Sequence, residues 1–272
     1  MRIKTNYLAL LTVIVMYVTA CQPLPEEGVG EVKSDKMYSI EEAFEIVATE
    51  NDVARTLYTK AIVGAGKKQG LKFHEDWEKD EIEAGPLPAL FLRGIAGDIR
   101  KKGDIPLGLF LGSDFPVRKS NKFVGKQAEL FAEIRKDSKP KYFYDEENQL
   151  YTAMFPDFAA AAPCVSCHND HPETTKTDWE MGDIMGATTW TYPSDSVSFE
   201  ELQGIVMAYR DGAAATFQTY LNKAAGFKEV EVPPVGEAWP GSGIYTLPTP
   251  EIFLDSVNEL ASEKTLKGIL KI

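Results

Sequence analysis

The chemistry that this sequence suggests most directly comes from residues 164–168, where Cys164, Cys167 and His168 have the spacing C-x-x-C-H. Two thiols separated by two residues can add across the two vinyl groups of one porphyrin, and this spacing is the signature of covalent haem attachment. The histidine that follows can supply an axial nitrogen to the haem iron. We therefore expect Cys164 and Cys167 to hold one covalent haem c and His168 to be the proximal iron ligand.

The C-x-x-C spacing also occurs in two other kinds of site. It forms redox-active disulfides, usually where a helix begins in a cytosolic βαβ unit. It also supplies half of a zinc site, which His168, Asp170 or His171 would complete here. A structural zinc site normally brings a second C-x-x-C or a spaced histidine pair, and the sequence has neither. Haem attachment is therefore the favoured interpretation, with zinc and a disulfide as the alternatives.

Residues 1–20 have the pattern of an export signal, because Arg2 and Lys4 precede an almost wholly apolar run over residues 7–18. The run is too short for a membrane-spanning helix. It ends in small residues just before Cys21, and this arrangement resembles the site at which bacterial lipoproteins are cleaved and lipidated. We expect an exported protein whose Cys21 carries a lipid anchor to a membrane, facing the periplasm or the cell exterior. An ordinary signal peptide cleaved before Cys21 is the alternative.

Residues 21–37 are rich in proline, glycine and charge, so we expect a flexible tether between the lipid and the folded part of the chain. The whole sequence has 272 residues and a formal net charge of −12. This charge argues against binding to nucleic acid, which needs basic patches, and it suits solubility or a basic redox partner. Because bacteria attach haem on the outer side of the inner membrane, the export signal and the C-x-x-C-H motif support each other.

The spacing of apolar residues predicts helices first, then strands on both sides of the haem motif, and then helices again. Ser39 and Glu42 form a capping-box pattern at the start of the first helix. This order of elements predicts an α+β domain. The predicted helices cover about residues 39–63 (one or two helices), 89–100, 124–136, 199–224 and 251–263, and the strands cover 105–111, 141–144, 150–155 and 184–192.

Three segments resemble, in their order, a bacterial family of PAS-like proteins that carry a single c-type haem. They are residues 109–116 followed by Arg118, the haem motif with residues 169–172 after it, and residues 182–187 before a strand. Some members of this family are exported proteins that stand alone, and others are sensor regions of histidine kinases or chemoreceptors. The resemblance covers roughly residues 39–192.

The resemblance implies a PAS-like fold, in which a short antiparallel sheet is flanked by helices and the haem packs against the sheet. We accordingly expect a PAS-like haem domain over residues 38–195 and a helical extension over residues 196–272 that packs on the same domain. The haem propionates need positive partners. Arg118 lies with Lys119 and Lys122 in a loop similar to the arginine segment of the family, so Arg118 is the expected propionate contact.

The second axial ligand of the iron is left open by the sequence. One branch of the family is thought to use a cysteine, but Cys21 belongs to the signal here and the other two cysteines hold the porphyrin. His74 and Met185 are the candidates, and a site without a strong protein ligand is the third possibility. His171 begins on the proximal side, and Met154 and Met181 are further methionines. Aromatic residues that could line the pocket or belong to the core are Phe155, Trp179, Trp190 and Tyr192.

The second ligand decides the expected function. Six-coordinate iron suits electron transfer, whereas an open position suits binding of NO, CO or oxygen. We expect an envelope-anchored monohaem cytochrome-like protein for electron transfer or for redox or gas sensing, with a redox partner or a signalling protein. A haem enzyme of the peroxidase or nitrogen-oxide reductase type is an alternative, weakened by the lack of an evident distal Arg/His pair. A structural lipoprotein without haem is the other alternative, and we expect no catalytic residue.

Overall fold

The computed structural model describes residues 36–236, Trp239 and residues 244–270, with side chains as far as Ser262. The predicted signal peptide, the lipidation residue Cys21 and the tether as far as residue 35 lie outside the described residues. The described residues belong to a single compact unit. The predicted division of this unit at residue 195 stays a prediction.

The first long helix begins as the sequence predicts. Strand β1 (Met37–Ser39) leads into helix α1 (Ile40–Leu57). The Ser39 side chain accepts a hydrogen bond from the backbone N–H of Glu42, and the Glu42 carboxylate accepts one from the N–H of Ser39. Each side chain thus satisfies a backbone donor that the helix leaves unpaired, which confirms the predicted capping box.

The helical path then continues beyond the predicted end at residue 63. A π-helical segment (Tyr58–Gly64) follows α1 and leads into α2 (Ala65–Lys68). Glycines weaken a helical pattern in the sequence, but Gly66 packs closely here. A Cβ at this position would lie 2.9 Å from Cδ1 of Leu71, so the side chain of Leu71 would have to shift.

The remaining predicted helices and strands occur in the predicted order, together with short strands and a helix over residues 162–170 that the sequence pattern did not predict. Helix α3 ends where Gly103 adopts a left-handed conformation with φ of 71°, as glycine commonly does after a helix. The strand predicted over 105–111 begins only at residue 108, since Pro106 has no N–H to donate to a sheet. The elements are β2 (Phe73–His74), β3 (Gly85–Pro86), α3 (Pro88–Lys102), β4 (Gly108–Gly112), α4 (Gly125–Asp137), β5 (Lys141–Asp145), β6 (Leu150–Phe158), α5 (Ala162–Asp170), β7 (Ile184–Tyr192), β8 (Ser196–Ser198), α6 (Phe199–Ala224) and α7 (Pro250–Leu270).

The largest sheet has four antiparallel strands in the order β4-β7-β6-β5. Short pairs form between β1 and β8, which are antiparallel, and between β2 and β3, which are parallel. This antiparallel sheet flanked by helices confirms the α+β fold class. Among the described residues, the sequence run of every helix is too short or too polar for a membrane span.

The two faces of the four-stranded sheet pack against different helices. Ala153 and Trp190 belong to the main core, which α1, α3 and α6 also form. Met154 and Ala187 belong to a second core with Phe131 of α4. Neighbouring residues such as Ala153 and Met154 enter opposite cores because side chains alternate along a strand.

A buried ion pair joins α1 to α6. Glu50 is fully buried, and its carboxylate accepts hydrogen bonds of 3.0 and 2.8 Å from Nε and Nη2 of Arg210. The next residue, Asn51, accepts a hydrogen bond from the hydroxyl of Tyr209. These contacts hold the second half of α1 in place, and that part of the helix faces the haem motif through Arg55.

Candidate functional site

The haem motif lies on α5, a helix of nine residues that begins just after the end of β6. Pro163 stands in the first helical turn, where the missing N–H costs no hydrogen bond. Cys164 and Cys167 are three residues apart on this helix, so they lie on the same side of it. Both thiols are free and both residues are half-buried. The two sulfurs are thus displayed together, as attachment to one porphyrin requires.

His168 follows on the same helix and is half-buried. Burial lowers the pKa of the His168 imidazole. The charge of Asp157 raises this pKa, whereas the charges of His171 and Arg55 lower it further. The imidazole is therefore neutral near pH 7, which is the form that binds a metal. Burial also raises the pKa of the Cys167 thiol, partly offset by the positive charge of Lys67.

The Nδ1 atom of His168 is buried and has no hydrogen-bond partner among the described residues. An unpaired buried polar atom costs about 1–3 kcal/mol, so it calls for an explanation. Within the described part of the chain, no protein hydrogen bond to Nδ1 therefore competes with a bound group for the imidazole ring. Two accessible thiols and a neutral, unpaired imidazole on one helix fit a covalently attached haem with His168 as an iron ligand.

Beside Cys164 lies a small apolar cluster, here called the Trp179 cluster. Trp179, Met185 and Ala159 are buried in it, and Cys164, Val165 and Phe115 pack against them. The indole Nε1 of Trp179 is buried without a hydrogen-bond partner among the described residues. The motif helix therefore rests on an apolar surface that carries one unsatisfied N–H donor.

Asn169, the residue after the motif, holds Trp179 through two hydrogen bonds. Its side-chain Nδ2 donates to the carbonyl of Trp179 at 3.0 Å, and its Oδ1 accepts from the N–H of Trp179 at 2.9 Å. Lys176 covers the indole, with Nζ 4.4 Å from the ring centroid. The loop after α5 is thus folded back onto the motif helix. Asn169 lies in one of the segments that carry the family resemblance, but the sequence suggests no role for it.

A second contact point at the end of α5 is centred on Glu75. Its Oε1 lies 3.3 Å from Nε2 of His171, and its Oε2 lies 3.7 Å from Nη2 of Arg118. His74 is the preceding residue in the chain. Two residues singled out from the sequence, Arg118 and His171, are therefore brought together by a glutamate that the sequence analysis did not single out.

The candidates for the second iron ligand occupy different environments. His74 is exposed on β2, and its Nδ1 accepts a hydrogen bond from the N–H of Asp76 at 3.0 Å. Met185 is buried in the Trp179 cluster near Cys164. Met154 lies in the core formed with α4, and Met181 is exposed. The assignment of His74 or Met185 as the second iron ligand stays a prediction.

The other predicted pocket residues do not join the Trp179 cluster. Trp190 and Tyr192 are buried in the main core, and Phe155 packs against that core. The ring of Trp190 lies 6.0 Å from the ring of Tyr209 on α6. Lys119 and Lys122, the neighbours of Arg118, are exposed. Of the four aromatic candidates, Trp179 is the one that contacts the motif helix.

An ion pair between Arg55 of α1 and Asp157 of β6 also lies beside the motif. Burial lowers the pKa of Arg55, but the charge and hydrogen bond of Asp157, together with the charges of Cys164 and Asp52, raise the pKa overall. The two residues are 102 positions apart in the chain. No local sequence signal predicts such a contact, so sequence analysis missed this pair.

No group of three or more His, Cys, Asp or Glu side chains in the described part of the chain is placed to hold a metal ion. The zinc alternative would need such a group.

The motif helix carries residues suited to a covalently bound haem, and together with a family match this makes the protein cytochrome-like. The sequence profile of the Tll0287-like family matches residues 38–193, and the chain belongs to this family. The family is haem-related, and Tll0287 itself is a c-type cytochrome. No curated protein and no solved structure matches the chain significantly. The expected membership of a haem family is confirmed, whereas the PAS-like and exported character stay predictions.

Proposed function

We propose that this chain is a monohaem c-type cytochrome that transfers single electrons or senses redox state or a small gas. In this proposal Cys164 and Cys167 form the two thioether bonds, and His168 is the proximal ligand. One observation carries it: α5 presents two free thiols on one side together with a neutral imidazole that has an unpaired buried nitrogen. A bound haem would supply a one-electron iron couple or a binding position for a gas.

The surroundings of α5 support roles for three further residues. Arg118 would contact a propionate, since it lies at the end of α5 with Glu75 and His171. Met185 would approach the haem from the cluster that includes Cys164, and His74 would do so from the exposed strand beside Glu75. Whether His74 or Met185 binds the iron as the second ligand, or neither does, decides between a carrier and a sensor.

The location and partners belong to the same proposal. The chain would be exported, anchored by lipid on Cys21 and exposed to the periplasm or the cell exterior, where it would meet a redox partner or a signalling protein. The net charge of −12 supports a partner with a basic surface.

The first experiment is an absorption spectrum of protein made together with c-type maturation machinery, followed by denaturation. We expect haem to stay on the chain under denaturing conditions. A Cys164→Ala/Cys167→Ala variant should lose covalent haem, whereas Cys21→Ala, which removes a cysteine outside the motif, should retain it. A wild-type protein without covalent haem would contradict the proposal. The zinc, disulfide and structural-lipoprotein interpretations would then have to be considered again.

A second experiment separates the carrier from the sensor. CO is added to the reduced protein, and the spectrum is compared between wild type, His74→Ala and Met185→Leu. A wild-type spectrum unmoved by CO, which becomes sensitive to CO in one variant, identifies that residue as the second ligand and favours electron transfer. Ready binding of CO to the wild type favours gas sensing.

A further inference from the structure

The ion pair of Arg55 and Asp157 lies in an unusual place for a pair of charges. The side chains are only 19% and 21% exposed. Arg55 stands in the last turn of α1, and Asp157 stands near the end of β6, where the pairing with β7 shifts register between Asp157 and Phe158. Helix α5 begins at Ala162, five residues after Asp157. The pair therefore links α1 to the strand end from which the motif helix starts.

The pair also lies close to residues of the motif. Asp157 is five residues before the start of α5, and Arg55 and Asp157 both lie within electrostatic range of His168. The pair thus places one positive and one negative charge near His168.

Burying two charges sacrifices their hydration, so such a pair is weak evidence for a purely stabilising role. Groups with perturbed pKa values cluster at functional sites, and the pKa of Arg55 is raised. One-electron reduction changes the charge at the iron by one unit. A nearby cation favours the reduced state and a nearby anion favours the oxidised state, and low exposure strengthens both effects.

We propose that Arg55 and Asp157 act on the reduction potential of the haem in opposite directions, as two opposed charges held near the His168 ligand site. This inference rests on the proposed function, because it requires a covalently bound haem. In wild-type protein the effects of the two charges on the reduction potential largely cancel. The effect of each charge can therefore be measured when its partner is neutralised.

The test is a redox titration of purified haem-loaded protein with dithionite and mediators, in which iron(III) takes up one electron to give iron(II). Asp157→Asn leaves the Arg55 cation unopposed, so the midpoint potential should rise. Arg55→Gln leaves the Asp157 anion unopposed, so the midpoint potential should fall. The double variant Arg55→Gln/Asp157→Asn should return close to the wild-type value. A loosened fold would not shift the midpoint potential in opposite directions in the two single variants and restore it in the double variant.

The matched control is the ion pair between Asp98 and Lys102, which lies within α3 at 2.9 Å. Asp98→Asn and Lys102→Gln make the same charge changes and should move the potential less than the Arg55 and Asp157 variants.

Shifts of the same sign for Asp157→Asn and Arg55→Gln, or shifts no larger than the controls, would overturn the inference while haem attachment still stands. Wild-type protein that binds no covalent haem would overturn the proposed function itself. Loss of haem only in the single variants, with retention in the double variant, would also contradict the inference, since it would show a purely structural role.

Discussion

At the scale of single residues, the haem motif is supported by contacts that the motif itself does not contain. Asn169 ties Trp179 to the motif helix, and Glu75 ties His171 to Arg118. The predicted residues thus do not act alone, because polar neighbours fix their positions.

The Asn169 contact can be tested by its effect on stability. Asn169→Ala removes two hydrogen bonds, each of which contributes about 0.5–1.5 kcal/mol, so we expect a loss of about 1–3 kcal/mol in the free energy of unfolding. Urea denaturation followed by circular dichroism measures this change. Asn222→Ala is the control, because Asn222 accepts one exposed hydrogen bond from Gln218, and it should change stability by no more than about 0.5 kcal/mol. Equal effects of the two variants would contradict the role of Asn169.

At the scale of elements, α1 is the helix that connects the core to the motif. Its buried Glu50 pairs with Arg210 on α6, and its last turn carries Arg55 beside α5. A separate contact fixes the chain after α6, where the Glu83 carboxylate accepts hydrogen bonds from the backbone N–H groups of Lys228, Glu229 and Val230.

The α1–α6 contact predicts a large effect for one substitution. Arg210→Met removes the positive charge and the two hydrogen bonds that Arg210 supplies to the fully buried Glu50, and breaking a buried ion pair by removing one residue costs about 3–5 kcal/mol. Chemical denaturation should show this loss in the free energy of unfolding. The double variant Glu50→Leu/Arg210→Met should recover most of it, since neither charge then remains buried. A double variant less stable than Arg210→Met would refute this explanation.

The Glu83 contact predicts a pH dependence of stability. Hydrogen bonds from the backbone, chiefly from Lys228, lower the pKa of Glu83 below its ordinary value of 4.5. A carboxyl group with a lowered folded-state pKa stabilises the fold above its unfolded-state pKa, and this contribution is lost as the pH falls through the folded-state pKa. Glu83→Gln should therefore have a lower Tm than wild type at pH 7, and the difference should shrink below pH 4.5.

The control for this measurement is Glu81→Gln, two residues earlier, where the carboxylate is exposed. Thermal melts followed by circular dichroism between pH 3 and pH 7 compare the three proteins. A Tm difference for Glu83→Gln that stays constant across this range would show that the carboxylate charge is not responsible.

At the scale of the whole molecule, the family match covers residues 38–193, and α6 packs against the helices of that region. The lipid anchor proposed at Cys21 lies outside the described residues, so it can be changed without altering any contact reported above. We therefore expect the proposed attachment to a membrane and the proposed binding of haem to be separable.

This separation leads to a prediction for Cys21→Ala. The variant should move from the membrane fraction to the soluble fraction of the envelope, because no lipid is added, while its haem spectrum stays that of the wild type. Fractionation with haem staining measures both properties on one gel. Wild-type protein found in the soluble fraction would contradict the lipid anchor, and loss of haem from the variant would contradict the separation.

The sequence by itself determined those features that depend on near neighbours in the chain. Side-chain periodicity predicted β7 and α6 at their observed bounds, Ser39 and Glu42 predicted a helix start, and C-x-x-C-H predicted the candidate site. Such signals are readable because hydrogen bonds and side-chain spacing within one element span only a few residues.

Only the tertiary structure decided which distant segments meet. The strand order β4-β7-β6-β5 and the contact of Glu75 with both Arg118 and His171 all depend on how the chain packs. The pairing of Arg55 with Asp157 spans 102 positions and follows from the approach of α1 to the end of β6. These contacts arise because burial of apolar faces brings whole elements together, and the polar groups at their ends then find partners that no local pattern specifies.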